Sequence, residues 1–187
     1  GAVMADAIPG PITGSPDDRC FERAVDLYND GSVEEYEFAI DVDDGFDVDE
    51  AGPGSIHATL ANIDMIDNFD EGLDYDEEDA GGIVISIAGF DGSGNTDDAI
   101  KMSEEGAGGV FGALTGAVLH SNGGVGAVYE EADDGDGVVV VTDTVTAAND
   151  DGVLGLEVVQ ENEGTGSLTI LTSVLTDGLE AEGVATN

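Results

Sequence analysis

Basic residues are almost missing from this chain: Arg19, Arg23 and Lys101 stand against 43 Asp and Glu, giving a formal charge of -40 at pH 7 over 187 residues. That excludes nucleic acid as a partner, because binding rests on Lys and Arg neutralising phosphates, and it disfavours anionic membrane surfaces for the same reason. A single cysteine, Cys20, leaves no intrachain disulfide framework. Trp is absent and aromatic residues make up only 5% of the chain, so a core has to be built from Val, Ile, Leu and Ala. No apolar run reaches the roughly 18 residues of a membrane span. The first twenty residues lack the charged and apolar blocks of an export signal, which points to synthesis for the cytoplasm.

What is present is acid and aliphatic side chains together. So many like charges on a compact body oppose folding in dilute salt, whereas near 1 M ionic strength the screening length falls to about 3 Å. The composition therefore implies a protein of concentrated brine that requires K+ or Na+, with divalent cations binding nonspecifically and no organic cofactor. Hydrophobic residues at 41% separate the chain from acidic disordered sequences, and excluded salts strengthen apolar burial.

Pro9, Pro11 and Pro16 fall within residues 1–18, which read as an extended N-terminal arm ahead of one β-rich domain over 19–187. Ser15-Pro16-Asp17-Asp18 has the form of a helix start, and Phe21, Ala24, Val25 and Tyr28 follow at helical spacing. Over Glu35 to Asp43 the period becomes two, the pattern of a half-buried strand. Further strands are expected at 55–63, 82–89, 125–129, 138–146, 153–160 and 167–175, separated by Gly and Asp-Gly turns. Residues 64–73 and 110–120 fit either helix or strand, and no internal repeat stands out. The expected fold is mainly β: an antiparallel sandwich or barrel, jelly-roll-like, with one or two short helices.

Candidate sites are sparse. Asp74 and Asp76, within the acid run to Asp79, offer oxygens to a hard cation, although with 43 acids chance clusters are unavoidable and a solvated surface loop is the better account of the run. Asp91-Gly92-Ser93-Gly94-Asn95 with the later Thr142-Asp143 resembles the metal site of a von Willebrand A-type domain, which makes Asp91 and Ser93 metal candidates too. Asn95 departs from that pattern, and the alternating helices of such a domain are missing. Gly106 to Gly112 fails the dinucleotide-loop spacing at Phe111. His57 and His120 have no Ser or Cys nucleophile at a recognised spacing, and no catalytic residue is expected.

A small β domain with an arm and no chemistry reads as a building block. In composition, length and strand pattern the chain resembles coat proteins of haloarchaeal viruses, some of which are single jelly rolls. That resemblance implies a capsid subunit that forms homo-oligomers and contacts other virion proteins, assembled in the host cytoplasm. Assembly would use sheet edges, loops and the arm, with Ala2, Val3, Met4, Ala7, Ile8 and Ile12 docking on a neighbour. The alternatives are a tail-tube subunit of a tailed haloarchaeal virus, and an acidic cell-surface or cation-binding module of a halophile.

Overall fold

The computed structural model describes residues 44–187 and, as strand backbone, 22–27 and 33–39; the expected assembly arm lies outside the described residues. Two compact units divide the chain, Gly1–Asp43 and Asp44–Asn187. In the first, β1 (Glu22–Leu27) pairs antiparallel with β2 (Val33–Ala39). The helix expected from the spacing of Ala24 and Val25 is thus a strand, and the strand expected from Glu35 is present.

The second unit is a parallel β-solenoid, which overturns the antiparallel jelly-roll expectation. Its strands are β3 (Phe46–Ala51), β4 (Ile56–Ile66), β5 (Leu73–Asp79), β6 (Ile83–Ser93), β7 (Ile100–Gly106), β8 (Val110–His120), β9 (Ala127–Glu131), β10 (Val138–Thr142), β11 (Val145–Ala147), β12 (Leu156–Gln160), β13 (Gly166–Leu171), β14 (Val174–Leu175), β15 (Leu179–Glu182) and β16 (Val184–Thr186). The chain alternates between two sheets. The first holds β4, β6, β8, β10, β11, β13, β14 and β16; the second holds β3, β5, β7, β9, β12 and β15. Every pairing in both is parallel. The Gly and Asp-Gly segments expected to reverse the chain instead carry it across to the other sheet.

Each circuit is one rung, and the period is 27 residues: Ile56 lies beside Ile83 and Ile83 beside Val110, as Leu73 lies beside Ile100. The register lengthens by two residues where Ala127 pairs with Leu156, after the 3-10 turn Asp150–Gly152, and the last rung is shorter, Leu156 pairing with Leu179 and Gly166 with Val184. Inward side chains consequently stack on their counterparts. Leu60, Ile87, Leu114, Val141 and Ile170 form one such row. Ile83, Ile85, Ile87, Leu114 and Leu119 are almost wholly buried, each contributing about 1.5–3 kcal/mol relative to exposure. Large meets small between the sheets: a Cβ on Gly112 would lie 2.6 Å from the ring of Tyr129.

Corners recur with the rungs. Residues 62, 89, 116, 143 and 172 all have positive φ, between 50° and 70°, kinking the first sheet at one level, and Asp67, Gly94, Ser121 and Ala148 do so at a second level. Directly after that second corner runs a buried asparagine ladder. Asn68 Nδ2 donates to Asn95 Oδ1 at 2.8 Å, Asn95 to Asn122 at 2.9 Å and Asn122 to Asn149 at 2.7 Å. The second amide hydrogen of Asn122 reaches Gly92 O and that of Asn149 reaches Leu119 O. The ladder satisfies polar groups that the corner would otherwise leave buried and unpaired.

Candidate functional site: an uncharged face and an acidic face

In a strand, successive side chains alternate between the two faces, so the outward positions of the two sheets form separate surfaces. Their chemistry is opposite. On the second sheet one outward row is Asp47, Asp74, Lys101, Val128, Glu157 and Glu180; the next is Asp49, Asp76, Ser103, Glu130, Val159 and Glu182. In-register parallel stacking sets like charges about 4.8 Å apart, and their protonation responds. Burial, then the carboxylates of Asp49, Asp44, Asp74 and Asp76, push Asp47 up to about 6. Asp76 is raised to about 6 by burial and Asp74, against the opposing pull of Lys101. Burial also lifts Asp98 to about 7, although its Oδ1 accepts the Val125 N–H.

Lys101 is the only cation on this face among the described residues. Its Nζ lies 3.0 Å from Asp74 Oδ2, 3.7 Å from Glu71 and 4.0 Å from Asp76. Burial alone would lower the ammonium; the Asp74 hydrogen bond and the surrounding carboxylates outweigh it and raise the pKa.

The expected metal residues separate in the fold. Asp74 and Asp76 share β5, whereas Asp91 and Ser93 share β6 on the other sheet, so the four do not form one site. The run from Asp74 is strand rather than solvated loop, and Asp74 itself is buried. Carboxylate oxygens do converge in two overlapping groups, Asp44 with Asp47 and Asp74, and Asp44 with Asp70 and Glu71. Asp91 to Asn95, the segment resembling a von Willebrand A-type site, is the end of β6 and the corner that carries Asn95 into the ladder.

Before its first kink the outer face of the first sheet carries no Asp, Glu, Lys or Arg in three rows on five rungs; past the kink Asp64 and Asp91 stand beside each other. His57, Val84, Phe111, Val138 and Ser167 form one row; Thr59, Ser86, Ala113, Val140 and Thr169 the second; Ala61, Ala88, Thr115, Thr142 and Leu171 the third. Val84, Phe111 and Leu171 are 42%, 43% and 50% exposed. A shallow groove of about 450 Å³ runs along the first two rows. His57 lines it, and no carboxylate is among the described residues that line it. His120 is exposed at the end of β8, with its Nδ1 3.3 Å from Ser121 Oγ.

No family model, curated protein or solved structure matches this chain. Two features escaped the reading of the sequence alone: the uncharged face and a row of buried glutamates in the second sheet. Both become visible once the residues are written in lines of 27, where Asn68, Asn95, Asn122 and Asn149 fall in one column.

Proposed function

We propose that this chain is a non-catalytic structural module of a halophile's virion or cell surface, and that its solenoid associates with other copies of itself through the uncharged sheet. The observation that carries the reading is the charge map. With 25% of residues charged, three rows on five rungs would hold about four charges by composition alone, and they hold none. Two polyanions approaching by any acidic surface repel one another; these rows meet without like charges opposed. Exposed Val84, Phe111 and Leu171 supply the apolar area.

The uncharged face that holds the groove spans about 20 Å by about 16 Å, on the order of 300 Å², from strand spacing and rise. That is well below the roughly 800 Å² per partner of a stable complex. Single contacts are therefore weak and reversible, and gain from repetition along an array. High salt has two roles, allowing the acidic sheet to fold and allowing copies to meet. A shell subunit, a tail component and a cell-surface module remain settings for one building block; the association surface is common to them.

Sedimentation velocity at two KCl concentrations tests the reading. Self-association is expected in near-saturated KCl, with dissociation on dilution, and the double variant Val84→Glu/Phe111→Glu should stay monomeric in both while keeping the wild-type circular dichroism. A wild type that sediments as a monomer throughout, or a charged variant that associates as before, would overturn it.

A further inference from the structure

The innermost turn of the second sheet carries a row of a different kind. Glu50, Glu77, Glu104 and Glu131 lie beside one another on successive rungs, and Gln160 takes the fifth place. These side chains point inward: Glu77 is 1% exposed, and Glu104 and Glu131 are 0% exposed. No N–H or hydroxyl group among the described residues donates to either carboxyl oxygen of Glu77 or Glu104. Buried carboxylates of that kind are strongly unfavourable unless they are neutralised.

Among the described residues no cation does this. Lys101 sits near the opposite end of β7, bound to Asp74. The charged groups facing the row are Asp79 toward Glu77 and Asp133 toward Glu131, both acids. The strands that follow open on Ile56, Ile83 and Val110 and bring no Asp, Glu, Lys or Arg to that end, Asp64 and Asp91 lying near their far ends. The carboxylate groups that could hold a metal lie elsewhere, around Asp44.

The fifth position shows what the row accommodates. Gln160 is nearly isosteric with a neutral glutamic acid, and its Nε2 donates to Glu131 Oε2 and to Gly135 O, the latter at 3.1 Å. Glu131 also accepts the Asp133 N–H, so it ends the row as an acceptor. Equivalent backbone carbonyls recur on the earlier rungs. A Cβ added to Gly108 would collide with both Gly81 O and Glu104 Oε1, and one added to Gly81 would collide with both Gly54 O and Glu77 Oε1. Glycine at each turn thus leaves a carboxyl and a carbonyl oxygen facing one small space. Two acceptors in that position call for a hydrogen between them, as Gln160 supplies in its own rung.

We propose that Glu77 and Glu104 are carried as neutral carboxylic acids in the folded protein at neutral pH, each donating its proton to an oxygen of the neighbouring rung, so that the ladder binds protons and locks successive rungs together. Burial comes first, then hydrogen bonding to Glu77 and Glu131, in raising Glu104 to about 8; Glu77 and Glu131 are raised as well, again chiefly by burial. A carboxyl whose folded pKa exceeds its unfolded one binds more protons when folded. The stability from this row is complete below the unfolded value near 4.5 and is lost as pH climbs through about 8.

Infrared spectroscopy of the folded protein with carboxyl-labelled glutamate, in concentrated KCl at pH 7, reads the protons directly. A protonated-carboxyl band is expected, and it should shrink in Glu77→Gln/Glu104→Gln. Denaturant unfolding of both proteins between pH 5 and pH 9 gives the second readout: the wild-type midpoint should fall with rising pH and the variant's should fall less steeply, keeping only the share of Glu71, Asp98 and the other raised carboxyls. Absence of the band in wild type would overturn the proposal even if the variant fails to fold. So would equal pH slopes for the two proteins, or a wild-type slope that changes when K+ is replaced by choline at constant ionic strength, since a bound cation would then neutralise the row.

Discussion

Asn149 donates its side-chain amide to Asp177 Oδ2 at 2.7 Å, which closes the asparagine ladder on a residue that can only accept. The direction of the ladder makes this possible. Every amide upstream donates toward the C-terminal rung, so interior members must both donate and accept, whereas the last need only accept. Asp177 also takes the backbone N–H groups of Ala148 and Asn149. Asn122→Asp should therefore cost about 3 kcal/mol at neutral pH, since it places an acceptor against Asn149 Oδ1 and Gly92 O in a buried site. Asp177→Asn should cost about 1 kcal/mol. Denaturant midpoints at fixed KCl compare the two, and equal losses would contradict a directional ladder.

The corner before the ladder supplies a second prediction. Ala148 has φ 59° in a place where the rung above has Ser121 and the one before that Gly94. An L-residue there is strained by about 1–2 kcal/mol, and glycine returns about 0.5–1 kcal/mol of that as lost chain entropy. Ala148→Gly should raise stability by about 0.5 kcal/mol, whereas glycine at the extended position Val139 should lower it. Thermal unfolding of both variants checks the contrast.

Which of these features could be read from the sequence follows from how a solenoid distributes its information. Alternation at Ile83-Val84-Ile85-Ser86-Ile87 reports one inward and one outward face, and it placed β6, β10, β12 and β13 near their observed positions. Alternation says nothing about whether the neighbouring strand runs parallel, so Asp-Gly turns suited hairpins as well as rung corners. β3, β5 and β7 were not anticipated because Asp-Val-Asp-Glu and Asp-Tyr-Asp-Glu-Glu look like solvated acid, although every second residue faces inward. The repeat itself was hidden by its outer positions: Asp47, Asp74, Lys101 and Val128 are equivalent in space and share no chemistry. Period 27 is carried instead by corner and inward residues, Asn68 to Asn149 and Glu50 to Glu131. In a chain with 43 acids the glutamate column has no contrast against its background.

Lys101 gives the third prediction. It is the only described counter-charge for Asp74, whose Oδ1 is buried without a partner. Lys101→Met should cost about 2 kcal/mol at pH 7, less than the full penalty for breaking a buried pair because the ammonium is 32% exposed. Without it, Asp76 and Glu71, already raised to about 6 and about 8, should rise further. Groups raised in the folded state bind protons on folding, so the deficit should shrink as pH falls from 7 to 5. A deficit that is constant across this window would show that the lysine acts through packing alone.

Tyr129 provides the last prediction, one in which removing an atom is favourable. Its ring fills the space over Gly112, and its hydroxyl is buried with no hydrogen-bond partner among the described residues; burial pushes its ionisation up. An unsatisfied buried hydroxyl costs about 1–3 kcal/mol, so Tyr129→Phe should stabilise the solenoid by about 1 kcal/mol while leaving the packing unchanged. Gly112→Ala changes the packing and leaves the hydroxyl: its Cβ would press on the ring at 2.6 Å, with an overpacking cost of about 1–3 kcal/mol. Opposite signs are therefore expected from two substitutions in one contact, and the combined variant should fall short of the sum because both act on the same ring. If Tyr129→Phe instead lowers the unfolding midpoint, the hydroxyl has a partner, most simply a buried water, and the space between Gly112 and the ring is not dry.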